Sequence, residues 1–370
     1  MENALERRTR RCQAEMEAND VVGVVLAAGS NMLYLSGFSD EPSERHLLLL
    51  LPRDGDPVFV APTMYREQIE GESWVSDVRT WDDSTGPRPI LESVLRDLPF
   101  DDGTVLLDDA MWATFVLDLR SLLPDATFGL ASDVLDPLRM EKDDRELSAM
   151  REAGALTDEV SEAIRTMGAD AVGMTERELA DEIDRRLREA GASGPAFETI
   201  VGSGPNGAHP HHRRSDRVIE PGDPVVLDFG GSVDGYPADQ TRTVVFDGSP
   251  PAEFEDVHET VHDALEAGVD AVEPGVTAES IDAAARSVIE EGGYGERFTH
   301  RTGHGVGLDV HEAPFITDGN ETELRPGMVF SVEPGVYLPG EFGVRIEDLI
   351  VVTDDGCDRL NHSPRGWEPL

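Results

Sequence analysis

Along the first third of the chain, short unbroken apolar runs (VVGVVLA at 21–27, HLLLLLP at 46–52, PVFVAP at 57–62, TVLLDD at 104–109) are separated by amphipathic stretches such as ILESVLRDL at 90–98. Apolar runs of this length bounded by turn residues read as buried strands, and their alternation with helical patterns predicts a small α/β domain. At 137–153, PLRMEKDDRELSAMREA predicts the opening of a long charged helix. The domain boundary is placed there, giving residues 1–138 and 139–370.

The second region repeats itself. GMTERELADEIDRRLREAG (173–191) matches GVTAESIDAAARSVIEEGG (275–293) at a constant offset of 102, each copy entering a predicted helix at a threonine suited to cap it. PGDPVVLDFG (221–230) matches PGMVFSVEPG (326–335) at an offset of 105, which lays Asp228 on Glu333. Two related α/β halves follow, each placing a carboxylate at the same point of a strand.

That carboxylate has company. The stretch 224–246 reads as a hairpin about an Asp234-Gly235 turn, and Asp228 and Asp239 are taken as opposed across it. The stretch 329–352 reads as two strands about Pro339-Gly340, with Glu333 and Glu347 symmetric about Gly340. Opposed bare carboxylates in apolar strands repel one another and need a proton or a cation. One such pair would mean little among 75 acidic residues, but two at equivalent places in a repeat point to a site.

His304, in GHGVGLDVHE at 303–312, is the candidate fifth ligand. The zinc-protease helix H-E-x-x-H is excluded, because Ala313, Pro314 and Phe315 follow His311-Glu312 and the glycines argue for a loop entering a short extended segment. Four carboxylates and one imidazole suit manganese, cobalt or zinc, and that much negative charge suits two ions, a Lewis acid and a generator of nucleophile. GSGPNG at 202–207 fits a dinucleotide fingerprint only in its glycines, since AHPHH follows where a helix is required. His258 and His262 are expected at the surface of an acidic helix.

Charge narrows the class. The formal net charge is −44, spread along the chain, which disfavours nucleic acid and anionic membrane as partners and resembles adaptation to a high-salt cytoplasm. Cys12 and Cys357 stand alone, consistent with a reducing compartment and no thiolate metal site. The first 20 residues lack the apolar core of a signal peptide, and LLLLL at 47–51 is too short to span a bilayer. The expectation is a soluble, cytoplasmic protein.

With these residues in place the chain resembles the metallopeptidases of the pita-bread fold: Xaa-Pro dipeptidase (prolidase), aminopeptidase P and methionine aminopeptidase. The resemblance rests on NGAHPHH, LDFGG…ADQTRT, HRTGHGVGLDVHE, SVEPGVY and GVRIED, and NMLYLSGF at 31–38 is similar to the creatinase-like N-terminal domain that methionine aminopeptidases lack. It implies an α/β (α+β) protein, a creatinase-like domain followed by a pita-bread domain of two pseudo-symmetric halves. It implies hydrolysis of Xaa-Pro bonds with two divalent ions, manganese first and cobalt or zinc as alternatives. Asp228 would hold one ion, Asp239 and Glu347 would bridge, His304 and Glu333 would hold the other, and Glu333 would also handle the proton. His211 and His311 would bind substrate and stabilise the oxyanion, His300 would line the proline pocket, and Arg345 would support the site or touch substrate. Prolidases often carry an arginine where this chain has Phe315, which is expected to offer apolar surface and favour hydrophobic over acidic residues before proline. Two readings stand beside the dipeptidase: an aminopeptidase P acting on longer peptides, and a non-catalytic peptide-binding module. The resemblance also implies a homodimer, with GFSDEPSERH at 37–46 reaching the partner's site.

Overall fold

The apolar runs of the first third become neighbouring strands. In the computed structural model, which describes residues 4–100 and 102–370, β1 (Val21–Ala27), β2 (Leu48–Pro52), β3 (Val58–Pro62), β4 (Asp77–Trp81), β5 (Thr104–Leu107) and β6 (Thr127–Leu130) form one sheet in the order β4-β3-β2-β1-β5-β6. β1–β2 and β2–β3 are antiparallel, and the other pairings are parallel. Every residue of β2 is buried, so its sequence shows no alternation. Val25, Leu50, Val60, Leu107 and Phe115 meet in this core.

The chain divides into two compact units, Met1–Arg139 and Met140–Leu370. The single long helix expected from residue 137 is instead two. Helix Ser132–Met140 carries Pro137, and after a break Asp143 caps helix Asp144–Arg165. Asp143 accepts from the amides of Arg145 and Glu146, both at 3.0 Å, and the Glu146 carboxylate accepts from the Asp143 amide at 2.8 Å. This reciprocal arrangement satisfies the amides that a helix start leaves open.

The second unit has two halves. In the first, helices Asp144–Arg165 and Glu176–Ala190 pack on a sheet of β7 (Ile200–Ser203), β8 (Val225–Phe229) and, beyond the ribbon β9 (Ser232–Val233) and β10 (Tyr236–Pro237), β11 (Gln240–Val244). In the second, helices Phe254–Asp270 and Ala278–Glu291 pack on strands drawn from β12 (Gly303–Gly305), β13 (Glu312–Ile316), β14 (Val329–Val332), the hairpin β15 (Gly335–Leu338) and β16 (Phe342–Arg345), then β17 (Asp348–Val352) and β18 (Cys357–Arg359). The main sheet of this half runs β13-β12-β14-β17-β18. Thr175 makes a full capping box with Glu178, whereas Thr277, at the equivalent place, makes no side-chain cap bond. The two helices end alike, each running into a left-handed glycine, Gly191 (φ 112°) and Gly293 (φ 86°), with the next amide donating back to the carbonyl of Leu187 or Ile289. His258 is not a surface residue: it is 5% exposed, beside the Phe254 ring, and burial with the nearby His262 and Arg165 charges pushes it down to about 4.

Register decides how the carboxylates meet. Asp234 and Gly235 both have positive φ (50° and 84°) in the two-residue turn between Val233 and Tyr236, the chemistry a tight hairpin requires. That frame carries on to Asp228↔Thr241, so Asp239 is not opposed to Asp228 but two positions along, diagonal on the same face. The symmetry centre lies between Asp234 and Gly235, one residue later than direct opposition would need. In the other half, Val332↔Asp348 and Gly335↔Arg345 belong to one frame, and Glu333 and Glu347 are opposed within it.

The halves are stitched together at the site. Thr241 and Glu347 form an antiparallel bridge between the two main sheets. Gly343 lets the β15–β16 hairpin come against the segment after β7, since a Cβ there would lie 2.0 Å from the Gly207 carbonyl oxygen. Residues 361–368 then return beneath both sheets. The amides of His362 and Ser363 donate to Asp158 (2.7 and 2.9 Å), and Arg242 donates to the Ser363 carbonyl (3.0 Å) and the Glu347 carbonyl (2.7 Å). Arg165 donates to the carbonyls of Pro364, Gly366 and Glu368.

Candidate metal centre and substrate cleft

Asp228 lies inside β8, Asp239 precedes β11, His304 is central in β12, Glu333 follows β14, and Glu347 stands between β16 and β17. The expectation of a loop at His304 is corrected, because β12 pairs with both β13 and β14. All five side chains line one cleft of about 620 Å³, and all but the cleft-facing Glu333 are buried. Ligand atoms of Asp239, His304 and Glu347 lie within 4.8 Å of one another. His304 Nε2 is 3.3 Å from Glu333 Oε1 and 3.8 Å from Asp239 Oδ2.

The residues fit a divalent cation on three grounds. His304 Nδ1 lies 3.2 Å from the Gly305 carbonyl, which fixes the proton on Nδ1 and turns the bare Nε2 lone pair toward the carboxylates. Burial, with the neighbouring His311, pushes His304 down to about 3, so it is neutral and ready to ligate. Asp228 Oδ1 is buried with no hydrogen-bond partner among the described residues. Finally, burial pushes Asp239, Glu347 and Glu333 upward, the last to about 7, and the neighbouring carboxylates add to the shift in each case. Acids so placed are discharged by protons or by a cation.

Arg345 is the cation the sequence places nearest. It donates from Nη2 to Asp228 Oδ2 (2.5 Å), from Nε to Thr241 Oγ1 (3.1 Å), and from Nη1 to the Pro210 carbonyl (3.1 Å) and the Tyr337 hydroxyl (3.0 Å). Four of the five N–H donors of a guanidinium are thereby used within the protein. Thr241 in turn donates to Glu347 Oε2 at 2.6 Å.

Around the carboxylates stand His211, His300 and His311, all lining the cleft. His300 Nε2 is 2.9 Å from the Tyr337 hydroxyl, and burial with the charge of Arg345 holds it down at about 4. The His311 ring lies 4.0 Å from that of His304. Phe315 does not line the cleft. It is 39% exposed, and its ring carries the guanidinium of Arg301 at 4.4 Å. Arg301 itself faces the cleft, and its guanidinium has no hydrogen-bond partner among the described residues. Reading the sequence missed Arg301, although it lies three residues before His304 and its partner ring was singled out.

Residues 148–354 match metallopeptidase family M24, and residues 8–141 match the Creatinase/Prolidase N-terminal domain. The chain belongs to this family of metallopeptidases, a creatinase-type N-terminal domain followed by a pita-bread domain, and the family implies a divalent metal. It is 40% identical to the probable dipeptidase PepE of Mycobacterium bovis over 93% of this chain and 91% of that one. It is 37% identical to the Xaa-Pro dipeptidase of Lactobacillus helveticus over 90% of each. The crystal structure of a prolidase from Thermococcus sibiricus superposes over the full length of both chains with a TM-score of 0.95 at 39% identity. No helix among the described residues is long and apolar enough to cross a membrane.

Proposed function

We propose that the chain is an Xaa-Pro dipeptidase whose site is built by Asp228, Asp239, His304, Glu333 and Glu347. The reading is carried by the convergence of these five side chains from both halves in one cleft, beside the guanidinium of Arg301, which has no hydrogen-bond partner among the described residues. The relatives named as dipeptidases, similar along nearly all of their length, support it. Asp228, Asp239, His304, Glu333 and Glu347 would hold two divalent ions, manganese first and cobalt or zinc as alternatives. When bound, such ions polarise the peptide carbonyl and activate water.

The chain's own groups supply the rest. Glu333, facing the cleft, takes a proton from the attacking water and passes it to the leaving proline nitrogen. His211 and His311 donate to the carbonyl oxygen as it gains charge. His300, held by Tyr337, walls the proline ring. Arg301 takes the carboxylate of the dipeptide, and Phe315 presents it by stacking. A preference for apolar residues before proline therefore has no carrier in Phe315.

Assay of Leu-Pro against Leu-Pro-Gly with added manganese tests the reading. Dipeptide cleavage should be faster. Faster tripeptide cleavage would assign the chain to aminopeptidase P, and no cleavage of either would favour a peptide-binding module. The same proposal includes a cytoplasmic homodimer adapted to high salt, supported by the free Cys12 and Cys357 and by the net charge of −44. Light scattering of the active protein tests the dimer.

A further inference from the structure

Outside the metal ligands, the most heavily bonded carboxylate is Glu176, the first residue of helix Glu176–Ala190, with a fully buried side chain. Its Oε1 accepts from the Ser203 amide (2.9 Å), the Ser203 hydroxyl (2.8 Å) and Asn206 Nδ2 (3.0 Å). Its Oε2 accepts from His212 Nε2 (2.7 Å), the Ser215 hydroxyl (2.6 Å) and the Ser215 amide (3.1 Å). Burial alone would raise this acid, but the donors from Ser215, Ser203, Asn206 and His212 overturn that and hold it at about 2. The six donors fall into two groups by position. One oxygen holds the end of β7 and the turn after it, and the other holds the chain where it returns.

Between these anchorages lies His211, at the tip of the segment and exposed. The residue before it is tied through its carbonyl to Arg345, and the residue after it is tied through its ring to Glu176. His212 lines the cleft but is turned with Nε2 to Glu176, so it braces the segment while His211 is left free to donate.

We propose that Glu176 is a positioning residue which, acting through His212 and both ends of residues 203–215, holds His211 against the site. The proposal rests on the role given to His211 above. Closing a thirteen-residue segment costs conformational entropy that must be met before substrate arrives, and one buried anion meets it at both ends.

Glu176→Gln keeps the size but turns an amide N–H toward one set of donors. In the manganese-loaded enzyme acting on Leu-Pro, kcat should fall on the order of tenfold to a hundredfold, the scale of a misplaced catalytic group. KM and metal content should change little. Hydrogen–deuterium exchange should rise across 204–216 and stay unchanged in β8 and helix Asp144–Arg165. Adding Glu176→Gln to His211→Ala should cost nothing more, because both remove the same contribution. His212→Asn, at a partly exposed position, should show the same pattern more weakly if Glu176→Gln folds poorly. Multiplicative losses in the double variant, or unchanged exchange at 204–216, would overturn the proposal. Should the wild-type chain cleave no Xaa-Pro dipeptide, the functional reading falls, and exchange at 204–216 alone decides whether Glu176 holds the segment.

Discussion

Thr241 and Glu347 grip each other twice: the Glu347 amide donates to the Thr241 carbonyl at 3.1 Å, and the Thr241 hydroxyl donates to the Glu347 carboxylate at 2.6 Å. The first bond joins the two main sheets, and the second aims a proposed ligand. Thr241→Val preserves shape and the backbone bond while removing the second, along with the bond from Arg345 Nε to the same hydroxyl. A hydrogen bond to a charged group is worth roughly 1.5–3 kcal/mol, and loss of an outer partner of a metal ligand weakens metal binding about tenfold to a hundredfold. Metal titration should show that weakening with the fold unchanged by circular dichroism. Unaltered affinity would show that Glu347 needs no such aim.

Glu333 is proposed both to ligate and to move a proton. Glu333→Gln keeps an oxygen donor and the 3.3 Å approach of Ser331 Oγ but loses basicity. Steady-state kinetics should show kcat falling by about 100-fold or more, with KM much less affected. A near-normal kcat would remove Glu333 from the proton path.

The metal-free protein should respond to pH in the direction opposite to ordinary surface acids. Burial pushes Glu333 up to about 7, and pushes Asp239 and Glu347 up as well. A carboxyl raised in the folded state keeps a proton that the unfolded chain has lost. The stability these three groups contribute is thus fullest below the ordinary carboxylate range and drains away as pH rises toward and through about 7. Thermal melts of chelator-treated protein should show Tm dropping between pH 5 and 8, and metal should restore most of the loss at the upper end. An equal drop with and without metal would place its origin elsewhere.

The net charge of −44 predicts a strong salt response. Raising potassium chloride shortens the Debye length from about 8 Å at 0.15 M to about 3 Å at 1 M, which relieves self-repulsion. Tm and activity should both rise over that range. A Tm independent of salt would mean that local ion pairs, such as Arg79 with Asp77 and Asp97, already balance the surface.

What could be read from the chain was local and periodic. The Asp234-Gly235 turn, the helix copies and the frame holding Glu333 opposite Glu347 all follow from spacing, because strand register fixes which residues meet. Asp228 and Asp239 were displaced by one residue in the assumed centre of their turn, which converts opposition into a diagonal. Burial of His258 was hidden because its helix neighbours are acidic while its own face turns to Phe254. Other features arise between distant segments and leave no periodic trace: Glu176 reaches residues 27–39 positions away, and Arg301 owes its place to a ring on the adjoining strand.

The return of residues 361–368 beneath the sheets has a consequence for how the protein is made. Arg242 fastens Glu347 and Ser363 with the same guanidinium, and Asp158 waits on the amides of His362 and Ser363. These residues leave the ribosome after every proposed ligand has already emerged. A nascent chain therefore carries all five ligands for some time without the clamp that seats one of them, and competence for hydrolysis arrives late in synthesis rather than growing with length.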